Sequence, residues 1–173
     1  WGRCVMATVI RGDDNFDTAI SKSIAIIADR KTAGTAGGTA TLGAWRTRDL
    51  NTEVSDVNGI VTIASNQFTL QAGKYIVDWH APVFSIVNQH ISRINNITDT
   101  AIVSESITGR GAQTSMEVLS TGTGYIDIAS AKVFELQHRV QTTVSTNGFG
   151  LPTQPYWTTS YEQYSLIKIA KVG

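Results

Sequence analysis

Short apolar segments separated by turn-forming residues run through most of this chain and constrain its fold more than any single motif does. From Trp45 onward, strand-length apolar stretches alternate with Gly, Asn, Asp and Ser, and no stretch keeps helical periodicity for more than two turns. The chain holds 18 Ile and 14 Val against 7 Leu, and β-branched side chains favour strands. The sequence therefore predicts an all-β domain, a jelly-roll β-sandwich of about eight to ten antiparallel strands.

The stretch "FTLQAGKYIVDWHA", residues 68–81, predicts two strands joined as a hairpin. Ala72 and Gly73 supply the tight turn. In the second strand every other residue is apolar, so one face of it should fill the sandwich. The residues predicted to point inward are Tyr75, Val77, Trp79 and Ala81.

Asp78 and His80 lie two residues apart on the outward face of the same predicted strand. A histidine beside a carboxylate is a candidate general base, but acyl transfer also requires a nucleophile and an oxyanion hole. No Gly-x-Ser-x-Gly motif is present, and Cys4 is the only cysteine. We interpret the pair as architecture and predict no catalytic residue.

Further strands follow along the chain. The stretch "HISRINNITDTAIVSESI" predicts a hairpin closed by residues 96–99, and "TSMEVLSTG" and "GYIDIAS" predict two more strands. The small-residue stretch "AGTAGGTATLGA" before them predicts a flexible loop. In "AKVFELQHRVQTTV" alternate residues should face the core. These are Phe134, Leu136, His138 and Val140.

The chain divides into two predicted parts. Residues 1–23 show no period of two and are rich in Asp, Asn and Ser, which is typical of a lead-in or anchor segment. Residues 24–173 form the predicted jelly-roll domain. Met6 is a plausible natural start, with "WGRCV" as an extension.

The sequence predicts no metal site and no cofactor. Its three histidines lie on different predicted strands without zinc-ligand spacing. The oxygen-rich "DDNFD" at 13–17 lacks the Gly and Glu that complete a calcium loop, and we treat "RGD" at 11–13 as a chance triplet. The histidines are His80, His90 and His138.

Two aromatic residues and the last strand are candidate contact sites. Tyr156 and Trp157 directly follow Pro155 in "GLPTQPYWTTS", where they would either bind a ligand or pack against a neighbouring subunit. The last strand is apolar on both predicted faces, which favours burial on both sides and hence an interface between subunits. Its candidate interface residues are Tyr164, Leu166, Ile167 and Ile169.

The charge pattern excludes some partners. Charged residues make up only 16% of the chain, and 14 basic residues balance 14 acidic ones without any basic run. Nucleic-acid binding depends on clustered Lys and Arg, so we expect no nucleic-acid partner. The longest apolar run, "IAIIA", is far shorter than a membrane span, so we expect no membrane insertion.

Several of these segments resemble known families. The pattern "FTLQAGKYIV" resembles the hallmark hairpin of complement globular-head domains, which share the tumour-necrosis-factor jelly roll and assemble as trimers. The segments "RKTAGTAGGTATLGAWRTRDLN", "NQFTLQAGKY" and "INNITDTAIV" resemble C-terminal domains of bacteriophage tail-fibre and related virion proteins. The resemblance covers about residues 24–173 and implies a homotrimer. The ending "SLIKIAKVG" departs from the complement domains, which favours the phage branch.

The resemblance implies a non-enzymatic phage virion protein. Its expected role is that of a trimeric tail-fibre tip that binds a host surface glycan or an outer-membrane protein, alongside other virion proteins. The alternative is a trimeric capsid fibre or decoration protein anchored through residues 1–23. An envelope-glycan hydrolase would require two opposed carboxylates, which no spacing indicates. A secreted complement-like ligand is a fourth interpretation.

Overall fold

The computed structural model describes residues 23–85, 87–111, 115–152 and 161–173, and within these ranges the chain forms twelve strands and no helix. Most of the strands match predicted segments, and two very short ones, β2 and β9, raise the number above the expected eight to ten. The strands are β1 Ile24–Thr32, β2 Arg46–Thr47, β3 Thr52–Asp56, β4 Val61–Ala64, β5 Gln67–Leu70, β6 Gly73–Phe84, β7 Asn88–Asn96, β8 Ala101–Glu105, β9 Gly109–Gly111, β10 Glu117–Ile128, β11 Lys132–Val140 and β12 Tyr161–Lys171.

Two antiparallel sheets pack face to face. The five-stranded sheet has the order β10-β6-β12-β1-β3, and the seven-stranded sheet has the order β4-β5-β11-β7-β8 with β2 beside β11 and β9 beside β7. The predicted all-β jelly roll is confirmed. Side chains alternate between the buried interior and the two outer faces, as the period of two requires.

The predicted hairpin at residues 68–81 is wrong. β5 pairs with β4 and β11 in the seven-stranded sheet, whereas β6 pairs with β10 and β12 in the five-stranded sheet. The turn at Gln71 and Ala72 therefore carries the chain from one sheet to the other. The local hairpin instead joins β4 to β5 through Ser65 and Asn66, both at positive φ as a two-residue hairpin turn requires.

One continuous strand replaces two predicted ones. β10 runs from Glu117 to Ile128 through Gly122 and Gly124, which resemble turn residues in the sequence. A Cβ on Gly122 would lie 2.2 Å from Cζ2 of Trp79. The glycine is therefore in the strand because the indole ring of Trp79 occupies the space of a side chain.

Trp79 lies at the centre of the interior and links the two sheets. It is fully buried, and its Nε1 donates a hydrogen bond of 2.8 Å to Oγ of Ser92 on the opposite sheet. The predicted inward face of β6 is confirmed. The fully buried apolar residues include Ile27, Phe68, Leu70, Tyr75, Val77, Trp79, Ala81, Ile94, Phe134, Leu136, Ile167 and Ile169.

The small-residue loop after β1 is tied to the loop after β11. Backbone hydrogen bonds join Gly37 to Gly150 and Ala40 to Val144, at 2.9 and 3.0 Å. A Cβ on Gly37 would lie 2.5 Å from the carbonyl oxygen of Phe149. The sequence predicted flexibility here, but these glycines allow two backbones to approach each other closely.

Candidate functional site: the five-stranded face

The outward surface of the five-stranded sheet, called here the five-stranded face, separates apolar and polar side chains into rows. Directly opposed residues of neighbouring antiparallel strands point to the same side, so the registers define each row. One row consists of Tyr125, Ile76, Ala170 and Ile24. Tyr125 and Ile76 expose 56% and 39% of their surface, and Leu119 on the same face of β10 exposes 60%. A single chain leaves this apolar surface in water.

The next row is polar, and its charges are paired within the chain. Oγ1 of Thr123 donates to Oδ1 of Asp78 at 2.8 Å, and Nζ of Lys168 lies 3.3 Å from Oδ2 of the same carboxylate. Both oxygens of Asp78 are thus engaged. His80 shares this face, as predicted, but among the described contacts no hydrogen bond joins it to Asp78. The pair has an architectural arrangement, not that of a general base held by its carboxylate.

A cleft of about 610 Å³ borders these rows. Its floor is the surface of β6, β10 and β12, and its side is formed by Glu105 at the end of β8 and by Ile107 of the connection between β8 and β9. Ile107 is 77% exposed. The cleft therefore extends the exposed apolar surface of the five-stranded face towards the edge of the sheet.

The structure divides the four predicted interface residues of β12. Leu166 lies on the five-stranded face opposite His80, whereas Ile167 and Ile169 are fully buried in the core of their own chain. This placement corrects the expectation for Ile167 and Ile169, because the regular alternation of β12 from Leu166 onward points both side chains into the core of their own chain.

Tyr164 also packs within its own chain. It is 7% exposed, and its hydroxyl donates to the carbonyl oxygen of Thr35 at 2.7 Å. Burial raises the pKa of this phenol, so the hydroxyl keeps its proton and its role as a donor. Of the four candidates, Leu166 is therefore the one placed to contact a partner.

Other predicted sites lie outside the described residues. Tyr156 and Trp157 fall there, as do the "DDNFD" and "RGD" stretches and Cys4. Within residues 23–85, 87–111, 115–152 and 161–173, no group of three or more His, Cys, Asp or Glu is arranged to hold a metal ion. Across the same ranges, no helix is long and apolar enough to cross a membrane.

A buried arginine that sequence reasoning missed joins several elements. Arg48 is 1% exposed, and its guanidinium donates to Oγ of Ser165 and to the carbonyl oxygens of Pro82 and Phe149, at 3.1, 2.9 and 3.0 Å. Burial lowers the pKa of Arg48 to about 10, so the group stays charged at neutral pH. Nothing in "RTRDL" distinguishes Arg48 from its exposed neighbour Arg46.

Two histidines form a buried pair on the interior side of the seven-stranded sheet. Nδ1 of His90 lies 3.2 Å from Nε2 of His138, and both rings are at most 2% exposed. The other ring nitrogen of each histidine, Nε2 of His90 and Nδ1 of His138, has no hydrogen-bond partner among the described residues. Burial lowers both pKa values, and for His138 the nearby charge of Arg48 adds to this effect. Alternation along β11 placed His138 inward, but only the strand register brings His90 beside it.

The outer face of the seven-stranded sheet has a different character. Arg93 stacks its guanidinium 3.9 Å from the centre of the Trp45 ring and donates to Oε1 of Gln137 at 2.7 Å. At the end of the sheet near β9, a second cleft of about 630 Å³ lies between Arg110 and Arg139. Arginine and glutamine side chains line this part of the surface.

Comparisons with known proteins agree with this architecture. No protein-family model matches the chain, and no curated protein sequence matches it. The globular domain of zebrafish complement 1qA protein matches with a TM-score of 0.52 and 11% identity, over 88% of this chain and 98% of that one. Murine APRIL matches with a TM-score of 0.50 and 4% identity, over 87% and 98%. PRD1 vertex protein P5 has a TM-score of 0.48 and 13% identity, over 88% and 98%.

At 11% and 4% identity, the first two of these matches concern the fold. They share with this chain an all-β sandwich of two antiparallel sheets. The protein therefore has a jelly roll of the complement globular-head and tumour-necrosis-factor-like type.

Proposed function

We propose that this chain is a non-enzymatic virion protein that forms the trimeric tip of a phage tail fibre and attaches the particle to its host. The observation that carries the proposal is the apolar row of the five-stranded face, where Tyr125 and Ile76 lie opposite each other on neighbouring strands and are exposed. Contiguous apolar surface on a folded chain marks a site of association. Two further copies of this chain are the proposed occupants.

The polar groups of the five-stranded face favour a permanent interface. The carboxylate of Asp78 already has Thr123 and Lys168 as partners. A neighbouring subunit that covers this face therefore does not bury an unpaired carboxylate. Three copies around one axis would cover the same face on each chain and close the assembly. The resemblance of "FTLQAGKYIV" to complement globular-head domains, which are trimers, supports this arrangement.

The attachment role rests on the phage resemblance together with this geometry. Trimer formation through the five-stranded face leaves the seven-stranded sheet of each copy outward. Three identical surfaces then bind the host, where weak single contacts multiply into strong adhesion. The proposed receptor is a surface glycan or an outer-membrane protein.

A role without catalysis fits the positions of the titratable groups. Asp78 is held by two partners, and the imidazoles of His90 and His138 contact each other inside the sandwich. Neither arrangement presents a general base beside a nucleophile at the surface.

The test is binding of fluorescently labelled protein to a panel of bacteria, with wild type compared with Ile76→Arg. That substitution places a charge in the apolar row and should yield monomers. Wild type should bind some strains stably, and the monomer should release from those strains at least about a hundredfold faster because multivalency is lost. Absence of binding to every strain, or equal retention of the monomeric variant, would overturn the attachment role.

A further inference from the structure

The outer face of the seven-stranded sheet, called here the seven-stranded face, carries a cleft that lies between two arginines. Both arginines point to the same side of the sheet. In the register, Gln89 of β7 lies opposite Arg110 of β9, and Ile91 of β7 lies opposite Arg139 of β11. The two arginines are therefore two strand spacings apart, about 10 Å, and offset by two residues along β7. The cleft between them measures about 630 Å³.

These two arginines have no anionic partner within the described part of the chain. Neither makes a hydrogen bond or an ion pair there, and no Asp or Glu lines the cleft. By contrast, Arg93 is held by Trp45 and Gln137 on the same face. Burial lowers the pKa of Arg93, the nearby carboxylates of Glu105 and Glu135 oppose this effect, and the charge of Arg139 adds to it as the smallest contribution. The cleft thus concentrates positive charge on a chain whose net charge is zero.

The remaining lining of the cleft is amphipathic. Gln89 and Gln141 supply side-chain amides, and Thr108 supplies a hydroxyl. Oε1 of Gln141 accepts from the backbone N of Gln89 at 3.4 Å, which leaves the amide NH₂ as a donor. Leu42, 57% exposed, adds an apolar edge. Hydroxyl-binding amides beside an aliphatic surface suit a sugar ring, and guanidinium groups suit a carboxylate or phosphate.

We infer that this cleft binds an anionic saccharide, with Arg110 and Arg139 holding its carboxylate or phosphate and Gln89 and Gln141 bonding its hydroxyls. The size lies within the range of small-molecule sites. This inference rests on the proposed function and specifies its receptor as an acidic surface glycan. The cleft lies on the sheet opposite the five-stranded face, so a trimer leaves three copies of it open to solvent.

The experiment titrates the purified chain with four probes that separate the sugar from the anionic group: glucuronic acid, glucose 6-phosphate, glucose and inorganic phosphate. Binding is followed by chemical-shift changes in amide NMR spectra, at low and at raised salt. Either or both acidic sugars should bind and shift residues around the cleft, and salt should weaken the binding. Whichever acidic sugar binds more tightly identifies carboxylate or phosphate as the recognised group.

The variant Arg110→Gln/Arg139→Gln should bind the acidic sugar at least about tenfold more weakly, because both charged donors are lost. The matched control is Arg46→Gln, which removes an exposed arginine of β2 outside the cleft and should bind as wild type does. Equal binding of glucose, unchanged binding by the double variant, or no saturable response would overturn the inference. Phosphate bound as tightly as glucose 6-phosphate, with no response to glucuronic acid, would mean an adventitious ion only.

Adsorption to bacteria separates this inference from the proposed function. If the double variant still adsorbs as wild type does, the cleft is not the receptor site although the attachment role stands. If the acidic sugar binds in the cleft but no strain adsorbs the protein, the attachment role fails and the saccharide site stands.

Discussion

The two outer faces of this sandwich are built from strands with the same alternation, yet they expose different chemistry. The five-stranded face aligns Tyr125 with Ile76, whereas the seven-stranded face aligns Gln89 with Arg110 and Ile91 with Arg139. Both faces cover one interior, so core packing does not explain the difference. We propose that the difference reflects what each face meets outside the chain: apolar rows favour a permanent protein partner, and cations without a partner among the described residues favour solvent and a polar ligand.

The largest effect should come from removing the interior that both faces share. Trp79→Ala deletes a fully buried indole and its hydrogen bond to Ser92, and should lower the free energy of unfolding by roughly 3 to 5 kcal/mol. Denaturant titration measures the loss, and Trp79→Phe, which keeps a ring, should lose less. A loss below about 1 kcal/mol for Trp79→Ala would contradict a common core.

Two matched substitutions, each of which places an arginine on one face, test whether the two faces differ in their role in self-association. Ile76→Arg on the five-stranded face should weaken self-association on the order of a thousandfold, about 4 kcal/mol, because each subunit would bury an unpaired charge. Ile102→Arg, on a 53% exposed residue of β8 in the seven-stranded sheet, should leave association unchanged. Sedimentation velocity measures the self-association of both variants. Equal effects of the two substitutions would show that the faces do not differ in role.

The histidine pair provides a smaller effect that depends on pH. Burial, with the charge of Arg48, holds the pKa of His138 well below 6.5, so the unfolded chain takes up a proton that the folded chain excludes. Stability is therefore full above about pH 6.5 and falls as the pH decreases, by up to about 1.4 kcal/mol per pH unit for each such group.

Urea unfolding of wild type and His138→Gln between about pH 7.5 and pH 5.5 tests this dependence on pH. The variant should show a shallower decline in the free energy of unfolding. An unchanged slope in His138→Gln would exclude the buried pair as the source of acid sensitivity.

The smallest expected effect on stability comes from breaking the ion pair between Asp78 and Lys168 on the five-stranded face. Asp78→Asn removes the partner of Lys168, whose Nζ lies 3.3 Å from the carboxylate. In the monomeric Ile76→Arg background the pair is exposed, so the change should cost less than about 1 kcal/mol and vanish at high salt. In the wild-type background a covered Lys168 would lack a partner, and the cost should be larger and independent of salt. Identical costs in both backgrounds would argue against a covered face.

The strands themselves were predictable because alternation is local. The inward residues of β6 and β11 follow from a period of two, and the structure places both sets in the core. The connection at Gln71 and Ala72 was not predictable, because a tight turn within one sheet and a corner between two sheets use the same residues. Gly122 resembled a turn for a similar reason, since its cause, the ring of Trp79, lies on another strand.

The candidate sites depend on pairings far apart in sequence, which explains what sequence reasoning missed. Asp78 was recognised, but its partners Thr123 and Lys168 come from two other strands. Arg110 and Arg139 face one cleft only because β9 and β11 both flank β7. Ile167 and Ile169 looked like interface residues because β12 is apolar on both faces, and the sequence does not show which face the chain's own core covers.

The solution mass of the wild-type chain tests the central claim most directly, since the five-stranded face is proposed to be covered by two further copies. Light scattering at two protein concentrations should give three times the 18.7 kDa of one chain, unchanged on dilution. A well-folded species of 18.7 kDa at both concentrations would contradict the claim. The apolar row of Tyr125, Ile76, Ala170 and Ile24 would then belong to a contact with a different protein.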